Sequence, residues 1–264
     1  MTKTFLLSEK SNAIFTITFN RPEVRNAMDA QFIDEFTQLL QEVNIDDTVR
    51  VVILRANGQS FCAGADLHWM KNSIQYTQAE NLEDAKKLST LMQTLYTLSK
   101  PTICLVQGAA YGGGVGLVAC ADIALATRQA SFCFSEVKLG LIPAVILPYC
   151  LLALGHRLIR RYCLSAEMIS ADKAYEIGFI HEIVDETKIL EKALEIANQI
   201  SSNAPHAVKA MKALIQRTTN KVIGENLREK TMQAIARIRS GDEAQEGMGA
   251  FFAKRTPNWQ KEEK

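Results

Sequence analysis

Charge of one sign is missing from this chain: across 264 residues, 30 Lys and Arg stand against 29 Asp and Glu, a formal net charge of +1. No overall field draws a polyanion, and basic pairs such as Lys86-Lys87 and Arg160-Arg161 are dispersed, so a nucleic-acid partner is not expected. Paired cysteines are also missing. Cys62, Cys104, Cys120, Cys133, Cys150 and Cys163 are scattered in apolar stretches without a C-x-x-C pair or a Cys/His cluster. That pattern reads as buried reduced thiols and no metal site. Long hydrophobic runs are absent too: the longest, 139–154, is broken by Pro143 and Pro148 and is too short to span a bilayer. Only three or four apolar residues precede Ser8 and Glu9, too few for a secretory core. The expectation is a soluble, cytoplasmic protein with no membrane partner.

What is present is globular: 47% of residues are hydrophobic and 22% charged, enough for one large α/β core with an appendage. Ala13, Phe15, Ile17 and Phe19 alternate as in a strand, which Arg21-Pro22 ends. From Asp29, a plausible N-cap, Phe32, Phe36, Leu39, Leu40 and Val43 recur at helical spacing. Val51-Val52-Ile53-Leu54 reads as a parallel strand buried on both faces, and similar runs follow at 103–106 and 123–126. Between them lie a helical stretch near 78–98 and a glycine-rich segment at 108–116. This order predicts stacked β-α units with right-handed crossovers. After about residue 187 only helical patterns remain, so we expect a core over 1–200 and a helical region over 201–264. Met232, Ile235, Phe251 and Phe252 in that region need a covering surface, which a neighbouring subunit could supply.

Two loops of small residues follow predicted parallel strands: Phe61-Cys62-Ala63-Gly64-Ala65-Asp66-Leu67 and Gly108-Ala109-Ala110-Tyr111-Gly112-Gly113-Gly114-Val115-Gly116. Such loops feed helix N-termini whose free N–H groups can hold negative charge, and their tiny side chains admit a substrate oxygen. Either loop alone could equally serve tight packing. No Gly-Lys-Ser/Thr follows the second loop, which excludes a P-loop.

With Asn20-Arg21-Pro22, Asn26-Ala27-Met28, Gly112-Gly113-Gly114 and Phe252-Ala253-Lys254-Arg255 in order, the chain resembles the enoyl-CoA hydratase (crotonase) superfamily over nearly its whole length. The resemblance implies an α/β fold, the crotonase (ClpP-like) spiral of stacked β-β-α units with a helical C-terminal region. It also implies an acyl-CoA thioester substrate, no separate cofactor because coenzyme A is part of that substrate, and a homotrimer or a hexamer built as a dimer of trimers. By the same resemblance the N–H groups of Ala65 and Gly113 form an oxyanion hole. Such preorganised donors contribute about 3–4 kcal/mol each to an enolate-like transition state. Glu136, in Ser135-Glu136-Val137-Lys138-Leu139-Gly140-Leu141-Ile142-Pro143, matches one of the two glutamates of the usual hydratases. The other falls on Gly116, so that carboxylate is absent. One carboxylate is compatible with hydration or with double-bond isomerisation.

A finer resemblance, carried by 61–70, Gly114-Val115-Gly116-Leu117 and 135–149, is to bacterial methylglutaconyl-CoA hydratases of leucine and isovalerate breakdown. There, Gly116 is expected to give an acidic branched substrate room and to spare it a like charge. Relatives imply Arg25, Lys254 and Arg255 near the coenzyme A phosphates, and the backbone of Ala63, Asp66 and Leu67 near adenine. His68 is a candidate contact for a distal carboxylate. The competing expectations are an isomerase using Glu136 alone, an RNA-binding crotonase-fold protein, and a catalytically silent scaffold.

Overall fold

The computed structural model describes residues 4–260, so residues 1–3 of the N-terminal stretch read above lie outside it. The chain opens with β1 (Leu6–Ser11), which pairs antiparallel with β2 (Ile14–Phe19) across Asn12, whose left-handed φ of 51° an asparagine tolerates. Only Leu6 of β1 is buried, so the strand carries no alternating pattern for the sequence to reveal. Next, α1 (Ala30–Ile45) starts where Asp29 accepts a hydrogen bond from the Phe32 N–H, and it buries Phe32, Phe36, Leu40 and Val43 as its spacing predicts, together with Ile33, while Leu39 is only partly buried.

From there the chain winds as a spiral, each turn giving one strand to a large sheet and the next to a small one. The first turn is β3 (Val51–Ala56), β4 (Ser60–Cys62) and the helices α2 (Leu67–Ser73) and α3 (Gln78–Tyr96). The second is β5 (Thr102–Val106), β6 (Ala109–Tyr111) and α4 (Gly113–Cys120). The third is β7 (Ile123–Ala126), β8 (Ser131–Cys133) and α5 (Leu147–Ser165), which kinks at Gly155. After β9 (Ile169–Ser170), α6 (Ala171–Glu176) and β10 (Glu182–Ile183), the order is β1-β2-β3-β5-β7-β10 in the large sheet and β4-β6-β8-β9 in the small one. This is the α/β spiral of β-β-α units that the resemblance implies. The small-sheet strands, of which β4 and β6 fall in or beside the two stretches read as loops in the sequence, are two or three residues long, too short to show a period.

The large sheet is covered on one face by α7 (Ile189–Ser201), whose Ile189, Ala193 and Ala197 pack on Val51, Ile53, Ile103, Leu105 and Leu125. Its other face, with α1, α3, α4 and the small sheet, forms the main core, where Phe19 meets Phe32, Phe36 and Phe61 at centroid distances of 5.2–5.3 Å. The helices α8 (Pro205–Thr218), α9 (Glu225–Ser240) and α10 (Asp242–Phe252) complete the chain. Lys212 of α8 is buried and donates to the Lys100 carbonyl and the Asp122 carboxylate, which also accepts from the Thr102 N–H and hydroxyl. Glu243 of α10 in turn accepts the His206 and Ala207 N–H groups at the start of α8. All six cysteines are free, five of them buried; burial pushes the Cys62 thiol up to about 12 and that of Cys163 to about 11. Among the described residues, no helix is long and apolar enough to cross a membrane.

Candidate active site

Three adjacent parallel strands of the small sheet, β4, β6 and β8, end side by side. Ala65 follows Cys62 by three residues, Gly113 follows Tyr111 by two, and Glu136 follows Cys133 by three. The sheet thus brings together the three residues expected to do the chemistry. A β-carbon built on Gly64 would lie 3.0 Å from the Tyr111 carbonyl oxygen and 3.9 Å from Gly112 Cα, so the first two loops touch. The Gly112 N–H donates to the Cys133 carbonyl at 2.9 Å, which ties the second loop to the strand leading into Glu136.

In the first loop, Met28 donates to the Gly64 carbonyl and its own carbonyl accepts from the Asp66 N–H, a bridge that brackets Ala65. The Ala63 N–H is taken by the Arg25 carbonyl. The exposed Ala65 N–H has no acceptor among the described residues. Asp66 is buried: its carboxylate accepts from the His68 and Trp69 N–H groups, capping α2, and pairs with Arg21 at 3.2 Å. Arg21 also pairs with Asp29, the cap of α1, at 2.9 Å, and its guanidinium lies 4.5 Å from the Phe5 ring centroid. Arg21 therefore locks the first loop to α1. Sequence reasoning missed it because an Arg before Pro signals only a strand end.

The second loop turns at Gly112, with φ 48° and ψ −119°, which a side chain would strain. Gly113 is the first residue of α4, and its N–H, like that of Ala65, has no acceptor among the described residues. Two free N–H groups thus leave neighbouring strand ends, one at a helix start, and both favour an oxygen that gains negative charge.

Glu136 opens a short 3-10 turn, 136–139. A β-carbon on Gly112 would lie 2.9 Å from its Oε1, so the absent side chain is what lets the carboxylate reach the loop. Its Oε2 is buried with no hydrogen-bond partner among the described residues. Burial raises its pKa above the usual carboxylate range, opposed by a hydrogen bond from its own backbone N–H. A carboxyl so placed exchanges protons more readily near neutrality than an exposed one.

The remaining expected residues are placed as follows. Gly116 is buried in α4 and does not open room for a substrate: a β-carbon there would lie 2.3 Å from Ile146 Cγ2 and 3.2 Å from Met92 Cε. Ile146, which the sequence did not single out, fills that space and corrects the expectation of a roomier site. Arg25, Leu67 and His68 are exposed at the first loop and the start of α2. Lys254 and Arg255 lie beyond the end of α10, outside this cluster, and Arg255 is held on both oxygens of Glu246 at 2.7 Å. Lys86, Lys87 and Arg161, from the dispersed basic pairs noted in the sequence, pair with Glu83, Asp34 and Glu167.

Residues 9–262 match the family model described as "Enoyl-CoA hydratase/isomerase". The chain is 33% identical to a short-chain-enoyl-CoA hydratase of Clostridium acetobutylicum over 95% of both chains. It is 32% identical to a 1,2-epoxyphenylacetyl-CoA isomerase of Escherichia coli over 97% of this chain and 98% of that one. A crystal structure of an enoyl-CoA hydratase from Shewanella pealeana superposes with a TM-score of 0.94 at 42% identity, covering 97% of this chain and 96% of that one. A family match over nearly the whole length, joined to two free N–H groups and a raised carboxyl at three neighbouring strand ends, means that the chain belongs to the enoyl-CoA hydratase/isomerase family.

Proposed function

We propose that the chain adds water to the α,β double bond of an enoyl-CoA thioester, with 3-methylglutaconyl-CoA as the substrate. The observation that carries the reading is the unpartnered, buried Oε2 of Glu136, whose raised pKa suits one group that both takes and returns a proton. Ionised Glu136 accepts a proton from water as the water oxygen bonds to the β-carbon. The double-bond electrons shift onto the thioester oxygen, where the Ala65 and Gly113 N–H groups hold the resulting enolate. Collapse of the enolate takes the proton from Glu136 to the α-carbon, which regenerates the carboxylate with one water added. The choice of an acidic branched acyl group rests on the resemblance of 61–70 and 135–149 and on the missing charge at Gly116.

Arg25, Lys254 and Arg255 are the candidate phosphate contacts, with the backbone of Ala63, Asp66 and Leu67 beside the adenine and His68 toward the acyl end. No cofactor beyond the coenzyme A of the substrate is needed, so dialysis against a chelator leaves the rate unchanged. A cytoplasmic setting suits six unpaired thiols.

A second reading, isomerisation, is favoured by the side chain of Ile146 packed where another carboxylate would stand. A single base can move a proton between carbons without water. Mass spectrometry after incubation with 3-methylglutaconyl-CoA, crotonyl-CoA and a 3-enoyl-CoA, with Glu136→Gln as control, separates the two. Gain of the mass of water on the branched acidic substrate supports the proposal. Double-bond movement at constant mass, with no hydration, replaces it by the isomerase.

A further inference from the structure

Gly112 and Gly116 are four residues apart at the start of α4, on one face of the helix, and the Gly116 N–H donates to the Gly112 carbonyl at 3.3 Å. One chain segment, 136–146, meets both. At its beginning Glu136 Oε1 sits 2.9 Å from where a Gly112 β-carbon would be; at its end Ile146 Cγ2 and Cβ sit 2.3 and 2.8 Å from where a Gly116 β-carbon would be. Between these ends Leu139, Leu141 and Ile142 are exposed, while Ile146 is 2% exposed. The segment therefore approaches the start of α4 at both of its ends. It is braced internally: the Leu141 N–H donates to the Glu136 carbonyl at 3.0 Å, the Leu147 N–H to Pro143, and Tyr149 and Cys150 to Ile146 as α5 begins.

The Glu136 carboxylate has little else to place it. Its buried Oε2 has no hydrogen-bond partner among the described residues. A side chain so sparsely tied takes its position from the packing of the segment that carries it.

We propose that Ile146 is a positioning residue for Glu136, its γ-methyl seated in the notch left by the missing side chain of Gly116 so that it sets the stand-off of segment 136–146 from α4. A β-branched side chain is stiff about χ1 and makes a rigid spacer, and Met92 Cε lies 3.2 Å from the same Gly116 β-carbon position. Gly116 is thus a socket for this spacer. The inference rests on Glu136 being the proton carrier, as proposed above.

The test compares Ile146→Ala, Gly116→Ala and the double variant G116A/I146A in the full-length protein. Two readouts are used: kcat and KM against pH on the enoyl-CoA that the native protein converts, and the ¹³C NMR titration of the Glu136 carboxyl, assigned with Glu136→Gln. Ile146→Ala is expected to lower kcat at least about tenfold, because small misplacements of a reacting group are costly, with KM changed less than about twofold. The Glu136 titration should move down toward the ordinary carboxylate range as water reaches it. Gly116→Ala, which drives a methyl into Ile146, should lower kcat as well. The double variant, in which the new methyl on residue 116 stands close to where Ile146 Cγ2 had been, should recover at least part of the loss. A change in melting temperature alone would not count, since any cavity produces one. If Ile146→Ala keeps the native kcat and the native Glu136 titration, or the double variant is no better than the worse single, Ile146 does not position Glu136. Native activity in Glu136→Gln would remove the catalytic reading instead, while the NMR titration would still decide the contact.

Discussion

Glu136 holds a carboxyl that folding has partly removed from water without giving its Oε2 a hydrogen-bond partner among the described residues. Its folded pKa lies above the unfolded value, so the folded state binds the proton more tightly between the two. Its effect on stability is most favourable below the unfolded pKa and is lost as pH rises through the folded one. We therefore expect Glu136→Gln to be more stable than the native protein at neutral pH, and the advantage to vanish below the ordinary carboxylate range. Chemical denaturation at a series of pH values measures this, and an advantage that persists in acid would contradict it. In the native enzyme kcat/KM should fall as pH drops through the same raised pKa. At this scale the sequence was informative: runs of small residues signalled where backbone must be exposed, and Glu136 stood in a segment whose resemblance was specific. Arg21 and Ile146 were not legible. An Arg before Pro and an Ile in an apolar run are ordinary, and their importance comes from partners 45 and 30 positions away in the chain, Asp66 and Gly116.

Between elements, Arg21 links the caps of two helices. Asp29 starts α1 and Asp66 starts α2, and one guanidinium pairs with both. Replacing it by Ala strands the buried Asp66 charge, and breaking such a pair costs about 3 kcal/mol or more. Because Asp66 ends the loop that aims the Ala65 N–H, Arg21→Ala should lower kcat as well as stability. Denaturation and steady-state kinetics on the same sample check this, and a variant with lost stability and native kcat would show that the loop keeps its aim without Arg21. Elements with a marked pattern were foreseeable from sequence: β2 and α1 stand where apolar spacing put them, β3, β5 and β7 where continuous apolar runs did, and α3 where a helical stretch was read. The small sheet was not, because strands of two or three residues take their place from pairing with neighbours.

Across the whole molecule, the three C-terminal helices leave apolar side chains in water, including Phe251 and Phe252, which are 77% and 80% exposed. We propose that the region from residue 201 onward trimerises the protein, with two trimers joining as a hexamer. The double substitution F251D/F252D should then shift the native mass, read by light scattering, toward the monomer; a native protein already monomeric at micromolar concentration would end this proposal. The same helices are fastened to the spiral by Lys212, which inserts its ammonium beside Asp122 and the Lys100 carbonyl. Lys212→Ala should lower stability by about 2 kcal/mol, the order of cost for a charged group left without its partner.

The three residues assigned to the chemistry come from three successive turns, at positions 65, 113 and 136, and meet only because β4, β6 and β8 pair side by side. No single turn holds even two of them. A nascent or partly unfolded chain therefore has no weaker version of the site to offer, and catalysis reports directly on whether three separate stretches of chain have docked. Under denaturant, activity should disappear together with the pairing of these short strands, at or before the loss of the larger sheet and never after it.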